Sequence, residues 1–343
     1  MIAGFVPLQR AVQRNCDIAD ARYAREVSLC TYLLEMREFY RWEQELPLGE
    51  PPPRDEVGRW INEREALWES LAEQDYLPLP VADASLDPFA AAAVNVVLLP
   101  EGLIYGAGIG RFHKPHFFLG RLDRVEKHDG LSVLVCECEY ARDITAIPAA
   151  LQGGTVIVRR EALRQWLWEK AEAWEMKKTP GALSRALDAY GYGENPGAAL
   201  TRMTERETET LILHERGEHA AGALLGPDWQ IMLASCSQRR AELRARAVRD
   251  NLADCLSTLP TLLDRDDPAS LHFWFANFDG MRREVYPWLA DAYDRWLVDG
   301  ERSGLAVAVA AGRRHWQWAA EQILVGYRAG SAETEIPVLA SPV

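Results

Sequence analysis

The chain has 343 residues, 48% hydrophobic and 26% charged, so it can form a large core and is not a disordered polymer. Its 38 basic and 51 acidic residues give a net charge of −13, which argues against a general nucleic-acid or anionic-membrane surface. No apolar run reaches the ~18 residues of a membrane span. The length allows two or three domains, or one large one.

The N-terminus and the cysteines predict the cell compartment. Residues 1–7 lack the basic leader of a signal peptide, and polar Gln9 and Arg10 end the apolar stretch early. Six cysteines without a Cys-x-x-Cys pair do not form a dense disulfide framework. We therefore expect reduced thiols and a cytoplasmic location.

Helices are predicted for the first hundred residues. Apolar side chains recur at steps of three or four over residues 8–46, with an interruption expected at Asn15-Cys16-Asp17 because Asn and Asp favour helix caps. The prolines at 51–53 end this segment. A second helix is predicted from about Asp55 to Ala72, and a third from Asp87 to Leu99.

Strands are predicted between Gly102 and Arg160. Two β-rich runs flank His128-Asp129-Gly130, which is a strong hairpin signal. A three-residue loop would place Arg121 opposite Glu137 and Leu122 opposite Cys136. The predicted strands are Leu103–Ala107, Phe117–Lys127, Leu131–Arg142 and Thr155–Arg159. We expect a small antiparallel β-sheet over residues 103–159.

The pattern is helical again after Glu161. Proline and glycine punctuation separates the candidate helices. They are Glu161–Lys178, Gly181–Tyr190, Pro196–Leu225, Pro227–Leu259, Pro268–Phe278, Asp279–Val298 and Glu301–Ala329. The predicted class is therefore α+β, mainly α-helical. The predicted regions are a helix-plus-sheet part at 1–160, a helical part at 161–330 and a loose tail at 331–343.

The opening segment resembles a known family. Residues 14–22, RNCDIADAR, and residues 29–43, LCTYLLEMREFYRWE, resemble the start of an uncharacterised bacterial protein family, a domain of unknown function. The resemblance implies a bacterial origin and no activity.

Histidines and glutamates near residue 214 form the first candidate metal site. His214 and His219 are five apart, about 140° around a helix, so they do not make the His-Glu-x-x-His zinc site. The pairs four apart are His214 with Glu218, and Glu215 with His219, and either pair has the ligand types of a helical metal site. The alternative is an exposed helix face with ion pairs.

Two further pairs are candidate metal ligands. His113 and His116 are three apart before the hairpin, and neutral imidazole is a common ligand for zinc or iron. A catalytic zinc needs three protein ligands, so His113 and His116 would need a further ligand from the hairpin. Glu35 and Glu38 offer two carboxylates three apart on the first helix. The alternatives are a surface loop and solvated helix carboxylates.

Two other patterns have simpler explanations. Gly106-Ala107-Gly108-Ile109-Gly110 lacks the spacing of a dinucleotide-binding loop, so a strand with close backbone approach is the better interpretation. Cys16 at a helix start would have a lowered pKa, but its adjacent Asp17 opposes this.

Two functional hypotheses follow. The first is a metal-binding enzyme in which a transition metal, Zn or Fe, held by His and Glu side chains activates water or dioxygen. The second is a non-catalytic protein whose tryptophan-rich helices form a groove for a protein partner or a small apolar ligand. The second hypothesis rests on twelve tryptophans, which at their helical spacings are mainly core residues.

Overall fold

The computed structural model describes residues 4–110, 113–128, 130–236, 238–265, 268–330 and 338–341. The chain divides into two compact units, Met1–Trp168 and Glu169–Val343. The predicted class is confirmed, because helices predominate and the sheet lies between residues 103 and 159. No helix among the described residues is both long and apolar enough to cross a bilayer.

The described residues of the N-terminal unit form four helices and seven strands, followed by the start of a fifth helix. The helices are α1 (Phe5–Tyr23), α2 (Leu29–Glu43), α3 (Arg54–Glu69), α4 (Ala91–Leu98) and α5 (Arg160–Lys177). The strands are β1 (Leu79–Val81), β2 (Ala84–Leu86), β3 (Leu103–Ile109), β4 (Pro115–His128), β5 (Leu131–Arg142), β6 (Ala149–Gln152) and β7 (Thr155–Arg159). The short β1–β2 hairpin was not predicted.

Helix α1 corrects the expected interruption at Asn15–Asp17. The helix runs through these residues because their side chains are buried and bonded, not free to cap. The Asn15 amide donates to the Leu77 carbonyl at 2.9 Å, and its oxygen accepts from the Leu77 N–H at 2.7 Å. The break falls instead before α2, where Ser28 caps the N–H of Thr31 at 3.2 Å.

The larger sheet has the strand order β3-β4-β5-β7-β6. All its neighbouring pairs are antiparallel except β5 with β7, which are parallel. The sheet is therefore mixed and not antiparallel throughout as expected, because the chain passes through β6 after β5 and returns in β7 parallel to β5. α1 packs on one face beside Leu103 and Phe117, and the other face holds Ile104 and Ile157.

The β4–β5 register agrees with the predicted one only at Leu122 and Cys136, because His128, expected in the turn, is the last residue of β4 and pairs with Leu131. Arg121 accordingly pairs with Cys138 and not with Glu137, and the ladder is irregular on both sides of Leu122. Arg121 still reaches Glu137 with its side chain, at 2.8 Å. The predicted turn includes Asp129, which lies outside the described residues.

The C-terminal unit is helical. Its elements are α6 (Ala182–Ala189), α7 (Pro196–Leu225), α8 (Pro227–Ser235), α9 (Arg239–Ala253), a π-helical turn (Asp254–Thr258), α10 (Leu259–Asp264), α11 (Pro268–Ala276), α12 (Gly280–Val285), α13 (Pro287–Asp299) and α14 (Ser303–Arg328). Two helices predicted as continuous, 227–259 and 279–298, are each broken. Pro287 has no N–H to continue α12, so α13 begins there.

The expected loose tail falls largely outside the described residues. Within the part that is described, the Leu339 N–H donates to the Val285 carbonyl at 2.8 Å. The Leu339 carbonyl accepts from Trp288 at 3.3 Å, and its side chain packs on the core. Residues around 339 are therefore attached to α12 and α13.

Candidate functional site

A cavity of about 830 Å³ lies in the N-terminal unit, between α1, the end of α2, β5 and the start of α5. Its lining residues are Val6, Gln9, Arg10, Gln13, Arg41, Trp42, Glu43, Glu45, Leu46, Cys138, Glu139, Tyr140 and Glu161. The volume falls within the roughly 300–1,000 Å³ of small-molecule sites, and the lining mixes aromatic, apolar and charged groups as such sites do.

Side chains that bond to the main chain hold two walls of this cavity in place. Gln9 and Gln13, one turn apart on α1, donate to the carbonyls of Tyr140 at 2.8 Å and Arg142 at 3.1 Å. Arg41 donates to the carbonyls of Pro47 and Glu50, each at 2.6 Å, and so holds the loop after α2. Hydrogen bonds therefore fix α1 to β5, and the loop after α2 to α2, around the cavity.

Glu161 is the carboxyl group of main interest on the wall. It lies in the first turn of α5 and accepts the N–H of Glu139 at 2.8 Å. Burial and the neighbouring negative charge of Glu139 raise the pKa of Glu161 above its ordinary value, although that N–H, Arg142 and the Trp42 side chain oppose the shift. A carboxyl group with a raised pKa in a cavity is typical of functional sites.

A buried ion network lies behind the Glu161 wall. Arg159 holds Glu139 with two hydrogen bonds, at 2.7 and 2.8 Å, and Arg142 lies 3.5 Å from the same carboxylate. The Arg142 guanidinium also lies over the Trp42 ring, 4.9 Å from its centroid. Desolvation makes such pairs costly, so they are weak evidence for stability.

A second buried network contains Lys114. Its ammonium group lies 2.6 Å from Asp20 and 3.5 Å from Asp143, and His116 Nδ1 lies 3.1 Å from Asp143. Burial raises the pKa of Asp20 to about 6 against the opposing effect of Lys114. Burial also favours a raised pKa for Asp143, but Lys114 and His116 outweigh it and hold the pKa of Asp143 well below its usual range.

The predicted site at His214 lies in the C-terminal unit. His214 Nδ1 is 2.9 Å from Asp254, the first residue of the π-helical turn, and Nε2 is 3.6 Å from Glu218. Burial opposes the charged imidazole, but Asp254 and Glu218 raise the pKa of His214 well above its ordinary value. π-helical turns are frequent at functional sites.

Each of the two carboxylates that contact His214 also pairs with an arginine. Arg249 donates to Glu218 at 2.8 Å, and Arg282 pairs with Asp254. Asp254 and Glu218 bind opposite nitrogens of the ring, so one ion cannot take His214 and both carboxylates as ligands. Across the described parts of the chain, no group of three or more His, Cys, Asp or Glu side chains is arranged to hold a metal ion.

The other predicted metal ligands are spread over the N-terminal unit. His113 is exposed, in a left-handed conformation with φ 59°, whereas His116 faces Asp143. Glu38 is buried between Arg37 at 2.6 Å and Arg41 at 3.1 Å, and Glu35 is partly buried. His219 is partly buried, on the helix that carries His214.

Cys16 and the tryptophans are also placed by the structure. Cys16 lies in the middle of α1 and not at a helix start, and burial together with Asp143 raises the pKa of its thiol. Trp274, Trp296 and Trp316 are buried in the core of the C-terminal unit, whereas Trp318 is 47% exposed. The first finding corrects the expected helix-start position of Cys16.

The sequence-based prediction missed the cavity residues Gln9, Gln13 and Glu161. One signal was present for the first two: they stand one turn apart, on the same side of a predicted helix. Glu161 carries no comparable signal, because a glutamate in the first turn of a helix is commonplace.

Two family models match the chain. The N-terminal domain of DUF6866, a family of unknown function, matches residues 7–159, and the C-terminal domain of the same family matches residues 164–340. No curated protein and no solved structure matches the chain.

Proposed function

Because the chain belongs to DUF6866, a family of unknown function, we propose a role from its geometry: the N-terminal unit binds a small organic cation, an amine, in the 830 Å³ cavity. The observation that carries this proposal is the position of Glu161 on the cavity wall, with a pKa raised by burial and by Glu139. A bound cation relieves both unfavourable effects on the ionised carboxylate.

The charge of the lining favours a cation. Glu139 is neutralised by Arg159, Glu43 pairs with Arg64, and Arg41 pairs with Glu38. Of the lining groups this leaves two carboxylates, Glu45 and Glu161, and one guanidinium, Arg10, while Arg142 lies buried behind the wall beside Glu139.

An aromatic side chain on the lining favours the same class of ligand. Tyr140 borders the cavity, and an aromatic ring attracts a cation by about 0.5–2 kcal/mol, whereas the Trp42 ring on the same lining already has the Arg142 guanidinium over it. An amine with an apolar body therefore matches the lining better than an anion or a simple sugar does.

Isothermal calorimetry of the full chain with benzylamine tests the proposal. Benzylamine is protonated at neutral pH, and benzyl alcohol is a neutral molecule of almost the same shape. We expect saturable binding of benzylamine and weaker binding of the alcohol. Glu161→Gln removes one charged hydrogen bond and should weaken benzylamine binding about tenfold to a hundredfold.

The matched control for this experiment is Glu137→Gln. Glu137 lies on β5, as Glu139 does, but it is exposed and pairs with Arg121 outside the cavity lining. This variant should bind benzylamine as the unmodified chain does. Equal affinity for benzylamine and benzyl alcohol, or unchanged affinity in Glu161→Gln, contradicts the proposal.

A second candidate function is metal binding in the C-terminal unit, supported by the convergence of His214, Glu218 and Asp254. A divalent transition metal, Zn or Fe, would take His214 Nε2 and Glu218 as ligands. Asp254, hydrogen-bonded to Nδ1, would orient the ring as carboxylates do behind metal-bound histidines. Arg249 would have to leave Glu218, so metal and arginine compete for one carboxylate.

Metal analysis of tag-free full-length protein tests this candidate. We expect a stoichiometric metal that is lost in the His214→Ala, Glu218→Ala double variant. His219→Ala, one turn further along α7, should keep the metal. A metal-free protein, or equal metal content in the double variant and the unmodified chain, contradicts metal binding here.

Some expectations from the sequence stay predictions. They are the cytoplasmic location, the bacterial origin, the lack of a nucleic-acid partner, and the groove of tryptophans for a protein partner or apolar ligand. Enzymatic activity of the His214 cluster stays a prediction as well. A metal-dependent hydrolytic assay would be the first step only after a metal is found.

A further inference from the structure

A second, smaller cavity lies on the other side of the Glu139–Arg159 pair. Glu139 lines the large cavity, and Arg159, bonded to it at 2.7 and 2.8 Å, lines the small one. The small cavity has a volume of about 50 Å³. Its lining residues are Gly106, Ala107, Gly108, His116, Phe118, Ile147, Ala150, Gln152, Ile157 and Arg159.

Three alternate glycines, two in β3 and Gly110 just after it, let side chains of this region lie close to the backbone. A Cβ atom on Gly106 would overlap Phe118, one on Gly108 would overlap Gln152, and one on Gly110 would overlap the His116 ring. Three side chains therefore lie directly on bare backbone, which explains the glycine spacing without a nucleotide.

The imidazole of His116 is held in one orientation. Its Nδ1 lies 3.1 Å from Asp143, a fully buried carboxylate that also accepts the Thr145 N–H at 2.8 Å. With Nδ1–H donated to Asp143, the neutral ring leaves Nε2 as an acceptor. No hydrogen-bond partner of Nε2 occurs among the residues that the structure describes.

We propose that the small cavity binds a primary alcohol group, with the hydroxyl donating its proton to His116 Nε2. A hydroxyl group both donates and accepts, which suits an imidazole acceptor beside the Gln152 amide. Phe118 and Ile157 contact the attached carbon atoms. The volume has room for about three or four water-sized groups, as ethanol requires. This inference does not depend on the amine site.

Nuclear magnetic resonance of the full chain, with labelled histidine and isoleucine, tests the proposal with ethanol as the probe. Long-range ¹H–¹⁵N spectra should show His116 protonated at Nδ1 and bare at Nε2. Ethanol should cause saturable shifts at His116 and at the Ile157 methyl group. Acetonitrile, similar in size but without a donor, should cause none at equal concentration.

Two variants complete the test. His116→Phe keeps a ring in place but removes the acceptor, so the ethanol Kd read at Ile157 should rise about tenfold. His113→Phe, three residues away and exposed, should leave that Kd unchanged. Non-saturable ethanol shifts, equal shifts with acetonitrile, or a proton on Nε2 overturn the proposal. These three results come from the unmodified chain, so they decide even if His116→Phe does not fold.

Discussion

The interiors of the two units differ in kind. Among the described residues, nine charged side chains are buried in the N-terminal unit and three in the C-terminal unit. The three are Glu207, Glu215 and Asp254. The core of the C-terminal unit is instead built from apolar and aromatic residues, and Trp229 and Trp316 are among its most buried side chains.

This difference between the two interiors indicates which unit is more strongly expected to hold a functional site. Aromatic packing stabilises a fold directly, because each buried ring removes a large apolar area from water. Buried ion pairs are often no more stabilising than well-packed apolar residues of the same volume. The charged interior of the N-terminal unit, with two adjoining cavities, therefore points to chemistry more strongly than the tryptophans of the C-terminal unit do.

The largest effect is expected from breaking the ion network of the N-terminal unit. Arg159→Met leaves Glu139 buried without its main partner and should lower the free energy of unfolding by about 3–5 kcal/mol. Hydrogen exchange of the β5 and β7 amides measures it. Arg121→Met breaks the exposed Arg121–Glu137 pair on the same sheet and should cost at most about 1 kcal/mol. Equal losses of unfolding free energy in Arg159→Met and Arg121→Met would show that the buried ion pair is no more important to stability than the exposed one.

Tryptophan substitutions make the corresponding test in the C-terminal unit. Trp316 is fully buried and packs edge-on against Tyr286, so Trp316→Ala should lower the free energy of unfolding by about 3–5 kcal/mol. Trp318, two residues on, is 47% exposed, and Trp318→Ala should cost less than about 1 kcal/mol. Urea unfolding of both variants measures the difference. A costly Trp318→Ala would indicate a partner-bound or associated surface.

A smaller, pH-dependent effect is expected at Glu215, one of the few buried charges of the C-terminal unit. Burial, with Glu218 and Asp250 nearby and His214 and Arg249 opposing, raises the pKa of Glu215 from 4.5 to about 7. The folded chain therefore binds this proton more tightly than the unfolded chain does. Its contribution to stability is complete below pH 4.5 and is lost as the pH rises to 7.

Glu215→Gln measures this contribution. At 1.36 kcal/mol per pKa unit, the unmodified chain should lose about 3 kcal/mol relative to the variant between pH 4.5 and 7. Urea unfolding at several pH values gives the two profiles. Glu205→Gln, an exposed change on α7, should leave the profile unaltered. Parallel pH profiles for Glu215→Gln and the unmodified chain would show that the pKa of Glu215 is not raised in the folded protein.

Much of the fold was predictable from local patterns. α7 was predicted with its observed bounds, since Pro196 at the first turn and Gly226 after the last residue mark both ends. The Asn15–Asp17 segment was mispredicted because the Asn15 side chain bonds to Leu77 and Asp17 pairs with Arg64, both of which are distant in sequence. The Arg121 register was missed because His128, expected in the turn, lies in β4 and pairs with Leu131, which shifts the pairing by one residue.

The candidate sites were less predictable for the same reason. His214 with Glu218 lie one helical turn apart, so spacing alone brought them together. Asp254 lies on another element, so the spacing within α7 could not predict its contact with His214. The large cavity joins Gln9, Glu139 and Glu161 from three elements, and no local pattern reports such a junction.

Titration of Glu161 by ¹³C NMR, with and without saturating benzylamine, tests the central claim most directly. We expect a pKa above the ordinary glutamate value in the free protein and a fall when the amine binds, because a neighbouring cation stabilises the carboxylate. Benzyl alcohol should leave that pKa where it is. A Glu161 pKa that benzylamine does not lower would contradict a cation site in this cavity.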